Sequence, residues 1–164
     1  MKNKENSRGK KTQSQKQDIT LGYLVEKEKY WDLLVSEDLP HKYSDTNQVL
    51  LIYAIGKSLS RITCYPIREE GDIWKLKLVF KEVKEKTIEK VGKLIERFKM
   101  IHTTGISKKG PNFKVEDYFV LNSQDINIIK SKNNLQIFDG MYLIRKFQEM
   151  KEIKHVDFFK IEKL

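Results

Sequence analysis

The sequence predicts an α+β protein in which strands and helices alternate from about residue 72 to the C-terminus. Apolar residues alternate with lysines between Trp74 and Phe80, which is typical of a half-buried strand. Between residues 84 and 99 they recur every three or four positions, which is typical of an amphipathic helix. Repetition of this pattern gives the order β-α-β-β-α-β. That order is typical of a ferredoxin-like sandwich, with two helices on one face of an antiparallel sheet.

The other elements of this unit follow from the same two periodicities. A second strand is expected within Met100–Ser107, and the turn-forming run Lys109-Gly110-Pro111-Asn112 separates it from a third strand at Phe113–Leu121. Apolar positions between Met141 and Met150 predict the second helix, and His155–Ile161 predicts the closing strand.

The alternation in the first strand also predicts which side chains are buried. We expect Trp74 and Phe113 in the core, with Lys75 and Lys77 facing solvent, since burial of unpaired lysines is costly. An RNA-recognition motif has the same order of elements but needs aromatic side chains on the open face of its sheet. The predicted orientation therefore argues against an aromatic platform for RNA bases.

The N-terminal 71 residues divide into a tail and an extension. Residues 1–18 contain six basic and two acidic residues and almost no apolar ones, so they are expected to be a disordered basic tail. Residues 19–71 form an extension predicted to be partly helical. One helix is expected around Glu26–Val35 and another over Asn47–Leu59, after the capping run Ser44-Asp45-Thr46. Because residues 19–65 are net acidic, a protein neighbour is expected there rather than RNA.

Charge and composition restrict the class of function. The 164 residues include 32 Lys and Arg against 23 Asp and Glu, a net charge of +9 that favours a polyanionic partner such as RNA or DNA. The longest apolar run, Val49–Ile55, is too short to span a membrane. A single cysteine excludes an internal disulfide framework, and the three histidines lack the spacing of metal ligands.

No combination of residues predicts catalysis. Cys64 has no histidine near it in sequence and is expected to be a small buried residue in a strand. The acidic pairs Glu69-Glu70 and Glu116-Asp117 are expected to be solvated. Gly105 and Gly110 do not have the spacing of a phosphate-binding loop. We therefore expect a protein that is not an enzyme and needs no cofactor, metal or small-molecule ligand.

Four segments, taken in order, resemble one known family. Val120–Lys132 is similar to the signature V-L-R-S-P-H-V-x-K-K-S-R of the small-subunit ribosomal protein ten family, and Leu135–Phe138 stands where that family has its Q-F-E-I strand. Trp74–Leu78 resembles the family's I-R-I-R-L start. His155–Ile161 resembles its closing G-V-D-V-E-I-K.

The resemblance implies a ribosomal-protein-ten-like domain over residues 72–164, with a long hairpin loop inserted at residues 122–138. In this family the hairpin enters the RNA and proteins of the small-subunit head. The implied role is that of a structural constituent of the small ribosomal subunit in translation, with small-subunit rRNA and neighbouring ribosomal proteins as partners. The residues implied to bind RNA or the ribosome are Lys108, Lys109, Asn122, Ser123, Asn127, Lys130, Ser131, Lys132, Asn133 and Asn134.

Departures from the family pattern bear on the location. The segment Thr104–Lys109 lacks the family's prolines, and Asn122 replaces the arginine after V-L. Together with the N-terminal extension, these departures favour a divergent mitochondrial version, with plastid or apicoplast and bacterial cytoplasm as alternatives. Two other functions remain open. One is a ferredoxin-like ligand-sensing regulatory domain that dimerises through its sheet. The other is a transcription antitermination partner, a role that bacterial members of the family also have.

Overall fold

The computed structural model describes residues 19–26, 46, 48–54, 61–122, 124–125 and 141–164. Within these ranges the protein is a mixed α+β structure with two antiparallel sheets and two helices longer than a single turn. The helices are α1 (Glu85–Ile95) and α2 (Met141–Gln148). The helix class and approximate position predicted for both segments are confirmed.

The first sheet has three strands in the order β1-β2-β3: β1 (Thr20–Glu26), β2 (Gln48–Ala54) and β3 (Arg61–Ile67). The prediction of a helix over Asn47–Leu59 is therefore wrong for Gln48–Ala54. A short apolar run does not distinguish a strand from a buried helix by periodicity alone, and β2 is the central strand with a neighbour on each side. The other predicted helix lies outside the described residues except for Glu26, which ends β1. In the described part of residues 19–71, the extension contains strands rather than helices.

The second sheet is built from residues 72–160. It contains β4 (Asp72–Phe80), β5 (Lys99–Thr103), β7 (Asn112–Leu121) and β8 (Ile153–Lys160) in the order β5-β7-β4-β8. A short β6 (Ser107–Lys109) also pairs with β7, so the predicted second strand is divided into two pieces. All these pairings are antiparallel. The architecture is compatible with a ferredoxin-like α+β fold.

The main hydrophobic core lies between the second sheet and the two helices. Trp74 is 7% exposed and shares this core with Leu76, Leu78 and Phe80 of the same strand, as the alternation predicted. Phe113 is partly buried against the same core. The helices contribute four buried residues: Val91, Ile95, Leu143 and Phe147.

The opposite side of the second sheet is covered by the first sheet. A second core cluster combines residues of both sheets, among them Leu24, Leu50 and Ile52 from the first and Ile73 and Tyr118 from the second. The prediction that this side faces solvent is wrong. On this side Lys75 and Lys77 are 2% and 3% exposed and Glu116 is also buried, while Asp117 is buried on the helix side of the same sheet. Burial is possible because Lys75 is paired with Glu116, and Lys77 with Asp157.

Candidate functional site

A lysine-lined groove runs along the helix layer, with a volume of about 620 Å³. Its walls come from α1 and the residue before it on one side, and from α2 and the turn after it on the other. We call it the helix groove. Its cationic side chains are Lys84, Lys86, Lys90, Lys93, Lys146 and Lys151, and its acidic ones are Glu149 and Glu152.

The sequence of α1 explains why its lysines line one groove. Val91 and Ile95, four residues apart, are buried against the sheet. Lys86, Lys90 and Lys93 are spaced by four and three residues, so they project from one exposed side of the helix. On the opposite wall, burial of Leu143 and Phe147 fixes the rotation of α2 and leaves Lys146 at the groove.

Half of the groove lysines are engaged by glutamates. Lys84 Nζ lies 2.7 Å from Glu82 Oε1 and 3.1 Å from Glu152 Oε1. Lys93 Nζ is 2.7 Å from Glu89 Oε1, and Lys146 Nζ is 3.3 Å from Glu149 Oε2. These pairs are exposed or partly exposed, so each contributes little to stability, but an anion that approaches one of these lysines still has to displace its glutamate.

The other three lysines of the helix groove, Lys86, Lys90 and Lys151, have no ion pair with any residue that the structure describes. All three are exposed. The groove therefore has a surplus of positive charge that the fold itself does not neutralise, which is the electrostatic pattern of a polyanion-binding surface.

The pKa shifts of one pair keep both partners charged. Hydrogen bonds to Glu82 and Glu152 raise the pKa of Lys84. Two hydrogen bonds lower the pKa of Glu152: the larger effect comes from its own backbone and the smaller from Lys84. Both groups are thus ionised at neutral pH, and Glu152 stays a competitor for any anion that approaches Lys84.

Two of the predicted binding residues lie on a hairpin away from the groove. Lys108 and Lys109 are exposed residues of β6, which turns through Gly110, at φ 61°, into β7. Neither lines the helix groove. The structure therefore leaves these two cations on a separate part of the surface.

A third predicted residue, Asn122, has a local structural task. Its side-chain oxygen accepts hydrogen bonds from the backbone N–H groups of Gln124 and Asp125 at 2.9 and 3.0 Å. The Asn122 N–H in turn donates to Asp125 Oδ2 at 3.0 Å, which completes a reciprocal capping box. The remaining predicted residues lie outside the described part of the chain: Ser123, Asn127, Lys130, Ser131, Lys132, Asn133 and Asn134.

Outside the helix groove, burial shifts the pKa of one cysteine and of one histidine. Cys64 is only half-buried on β3, so the expectation of a buried residue is too strong, and burial raises the pKa of its thiol. His102 Nδ1 lies 2.7 Å from the Tyr65 hydroxyl, and burial, helped by Arg61, lowers the pKa of this histidine. Over the same residues, no three His, Cys, Asp or Glu side chains are grouped as metal ligands. None of the described helices is long and apolar enough to cross a membrane.

No protein-family model matches the sequence, and no significant similarity to a curated protein or to a solved structure is found.

The helix groove is the feature that sequence reasoning did not locate. The spacing of Lys86, Lys90 and Lys93 predicts a basic helix face, but it does not show what lies beside that face. The residues 151 and 152, which complete the second wall, stand about 60 positions further along the chain. Only the packing of both helices on the same side of one sheet brings them together.

Proposed function

We propose that the protein is a non-catalytic, RNA-binding structural constituent of a small ribosomal subunit, in the head region, where it contacts small-subunit rRNA and neighbouring ribosomal proteins. We further propose that it acts in mitochondrial translation. We also propose that the domain has a ferredoxin-like β-α-β-β-α-β fold with a long hairpin inserted at residues 122–138. The order of elements from β4 to β8 is consistent with it.

The observation that carries the proposal is the helix groove. Six lysines and two glutamates line it, so a ribose-phosphate backbone is the partner whose charge best complements it. Lysine contacts to phosphate position a protein on RNA without reading its sequence, which is the requirement for a structural ribosomal component. The net charge of +9 also favours a polyanionic partner.

The hairpin residues implied by the family resemblance form a second proposed contact. Lys130 and Lys132 supply charge, and Ser123, Asn127, Ser131, Asn133 and Asn134 supply neutral hydrogen-bonding groups suited to phosphate and ribose. Changing Lys130 and Lys132 to alanine should reduce assembly into the subunit. The free energy of unfolding should change by no more than about 0.5 kcal/mol, as for exposed substitutions.

The covered face of the second sheet weighs against the regulatory alternative. A ligand-sensing domain that dimerises through this sheet face would first have to displace β1–β3, which are packed on it through Leu50, Ile52 and Tyr118. The ribosomal proposal needs no such rearrangement, because the helix groove lies on the other side of the sheet.

Sedimentation of the native protein at low and high salt tests the proposal. We expect it to comigrate with small-subunit rRNA at low salt and to be released only at high salt, because phosphate contacts weaken steeply with ionic strength. A protein that sediments as a free dimer at both salt concentrations, and whose melting temperature rises with an amino acid, would overturn the proposal in favour of a regulatory domain. Comigration with a transcription complex instead would favour the antitermination alternative.

A further inference from the structure

We propose that the helix groove takes the sugar-phosphate backbone of double-helical RNA, with Lys86, Lys90 and Lys151 as its phosphate ligands. That the polyanion is RNA rests on the proposed function. The choice of a double helix, and of these three lysines among the six, rests on the groove itself.

The side chains that line the groove favour a double helix over a single strand. Proteins that bind single strands usually stack the bases on aromatic side chains along a basic channel. The groove residues include no aromatic one in the described part of the chain. Among the described residues, the exposed aromatic side chains Tyr23, Tyr53 and Phe159 lie on strands of the two sheets instead. The ring centroid of Tyr142 lies 5.8 Å from Lys146 Nζ, but Tyr142 is partly buried against the core. A surface that offers lysines without an exposed aromatic ring suits a backbone whose bases are already paired.

The ion pairs select which lysines bind phosphate. Lys84, Lys93 and Lys146 are held by Glu152, Glu89 and Glu149, and a phosphate must displace the carboxylate before it gains the lysine. The other three have no such competitor among the residues described. Lys86 and Lys90 are one helical turn apart on α1, about 6 Å along its axis, and Lys151 stands on the opposite wall.

Fluorescence anisotropy on the full chain tests this inference, with a 20-base-pair RNA duplex of arbitrary sequence and a 20-nucleotide oligo(U) as probes. We expect the duplex to bind at least about tenfold more tightly than oligo(U) at the same salt. The triple variant Lys86→Gln, Lys90→Gln, Lys151→Gln should make the slope of log affinity against log salt shallower by about 3, since each lost phosphate contact removes about 0.9.

Two further variants are controls for a general loss of positive charge and for misfolding. Lys154→Gln with Lys163→Gln removes two exposed lysines that do not line the groove, and should leave the slope within about 0.5 of the wild-type value. Glu149→Gln frees Lys146 from its carboxylate, and should tighten duplex binding about threefold at low salt, a gain that misfolding cannot produce.

The outcomes separate this inference from the proposed function. Equal or tighter binding of oligo(U) overturns the inference. A triple variant that binds the duplex like the wild type, while the native protein still comigrates with rRNA, overturns the inference alone. Duplex binding that depends on the three lysines, in a protein that never comigrates with rRNA, supports the groove and overturns the ribosomal proposal.

Discussion

The two sides of the second sheet use lysine in opposite ways. On the side covered by the first sheet, Lys75 and Lys77 are buried, and each lies within ion-pair distance of a carboxylate. On the helix side the core beneath α1 and α2 is almost wholly apolar, and the lysines stand on the outer surface of the helices. Lys75, which also donates a hydrogen bond to the Thr20 carbonyl of β1, therefore helps to hold the first sheet on the second, whereas the surface lysines of the helix groove remain available to a partner. A lysine count alone does not separate these tasks.

The largest effect is expected from breaking the buried pair. Glu116 accepts hydrogen bonds from the Ile19 and Thr20 N–H groups at 2.6 and 2.8 Å and lies 3.0 Å from Lys75 Nζ. Glu116→Leu should lower the free energy of unfolding by about 3–5 kcal/mol, because it leaves Lys75 buried without its compensating charge. Urea denaturation followed by circular dichroism measures this loss.

The double variant Lys75→Met, Glu116→Leu is the control for this prediction. An apolar pair of similar volume removes both charges together, and should recover most of the lost stability. If the double variant is as unstable as Glu116→Leu, then the ion pair is not the cause. The loss would instead belong to the backbone hydrogen bonds that Glu116 accepts from β1 and the residue before it.

A smaller effect is expected where β1 meets β7. A Cβ added at Gly22 would lie 2.4 Å from Cε1 of Tyr118, whose ring is fully buried between the sheets. Gly22→Ala should therefore cost about 1–3 kcal/mol through overpacking. The same substitution at Gly92, on the exposed side of α1 with no atom within 4 Å, should stabilise the protein by about 0.5–1 kcal/mol. Equal effects at the two glycines would contradict the close packing described for the sheets.

The contrast between the two sides also shows how far the sequence predicts the structure. Alternation in β4 correctly placed Trp74 on the core side, since it reports the side of a strand on which each residue lies. It does not report what covers the other side, so the alternation alone wrongly predicts that Lys75 and Lys77 face solvent. The cover comes from β1–β3, and the sequence predicts a helix for the apolar run that forms strand β2. An aromatic platform for RNA bases remains ruled out on this face of the second sheet, but the reason is different: the first sheet covers the face.

For the candidate site, the sequence does not show which distant segments of the chain become neighbours in the fold. The polar side of α1 is visible in the spacing of Lys86, Lys90 and Lys93, whereas the second wall depends on which helix packs beside it. Asn122 shows a different limit. The sequence predicts a hydrogen-bonding residue at the start of a loop, but it does not show that the side-chain oxygen of this residue accepts hydrogen bonds from the backbone of the next turn.

A pH-dependent effect of about 1 kcal/mol is expected from Asp117, a buried carboxyl on the helix side next to Leu76. Burial raises the pKa of Asp117 above its ordinary 3.8, repulsion from Glu116 adds to this rise, and a hydrogen bond with Thr103 opposes it. Its Oδ1 has no hydrogen-bond partner among the described residues. Because the folded state then binds the proton more tightly than the unfolded state, ionisation removes stability as pH rises from 3.8 to the folded pKa.

Asp117→Asn removes that ionisation and tests the sign. The variant should be more stable than the wild type by about 1 kcal/mol at pH 7. This advantage should disappear below pH 3.8, where Asp117 is protonated in both the folded and the unfolded protein. Urea denaturation of both proteins between pH 3 and pH 7 measures the difference. A difference that stays constant over this range would mean that Asp117 affects stability through packing rather than through its charge.

The smallest effect on folding is expected from the lysines proposed to bind RNA. Lys86, Lys90 and Lys151 are exposed and have no ion pair with a described residue, so changing all three to glutamine should alter the free energy of unfolding by less than about 0.5 kcal/mol. The change should be neutral or slightly stabilising, because it relieves repulsion in a chain of net charge +9. Urea denaturation checks this in the same samples used for RNA binding. A loss above about 1 kcal/mol would show that the lysine stems help to pack the two helices, and that the groove lysines, like Lys75, serve the fold.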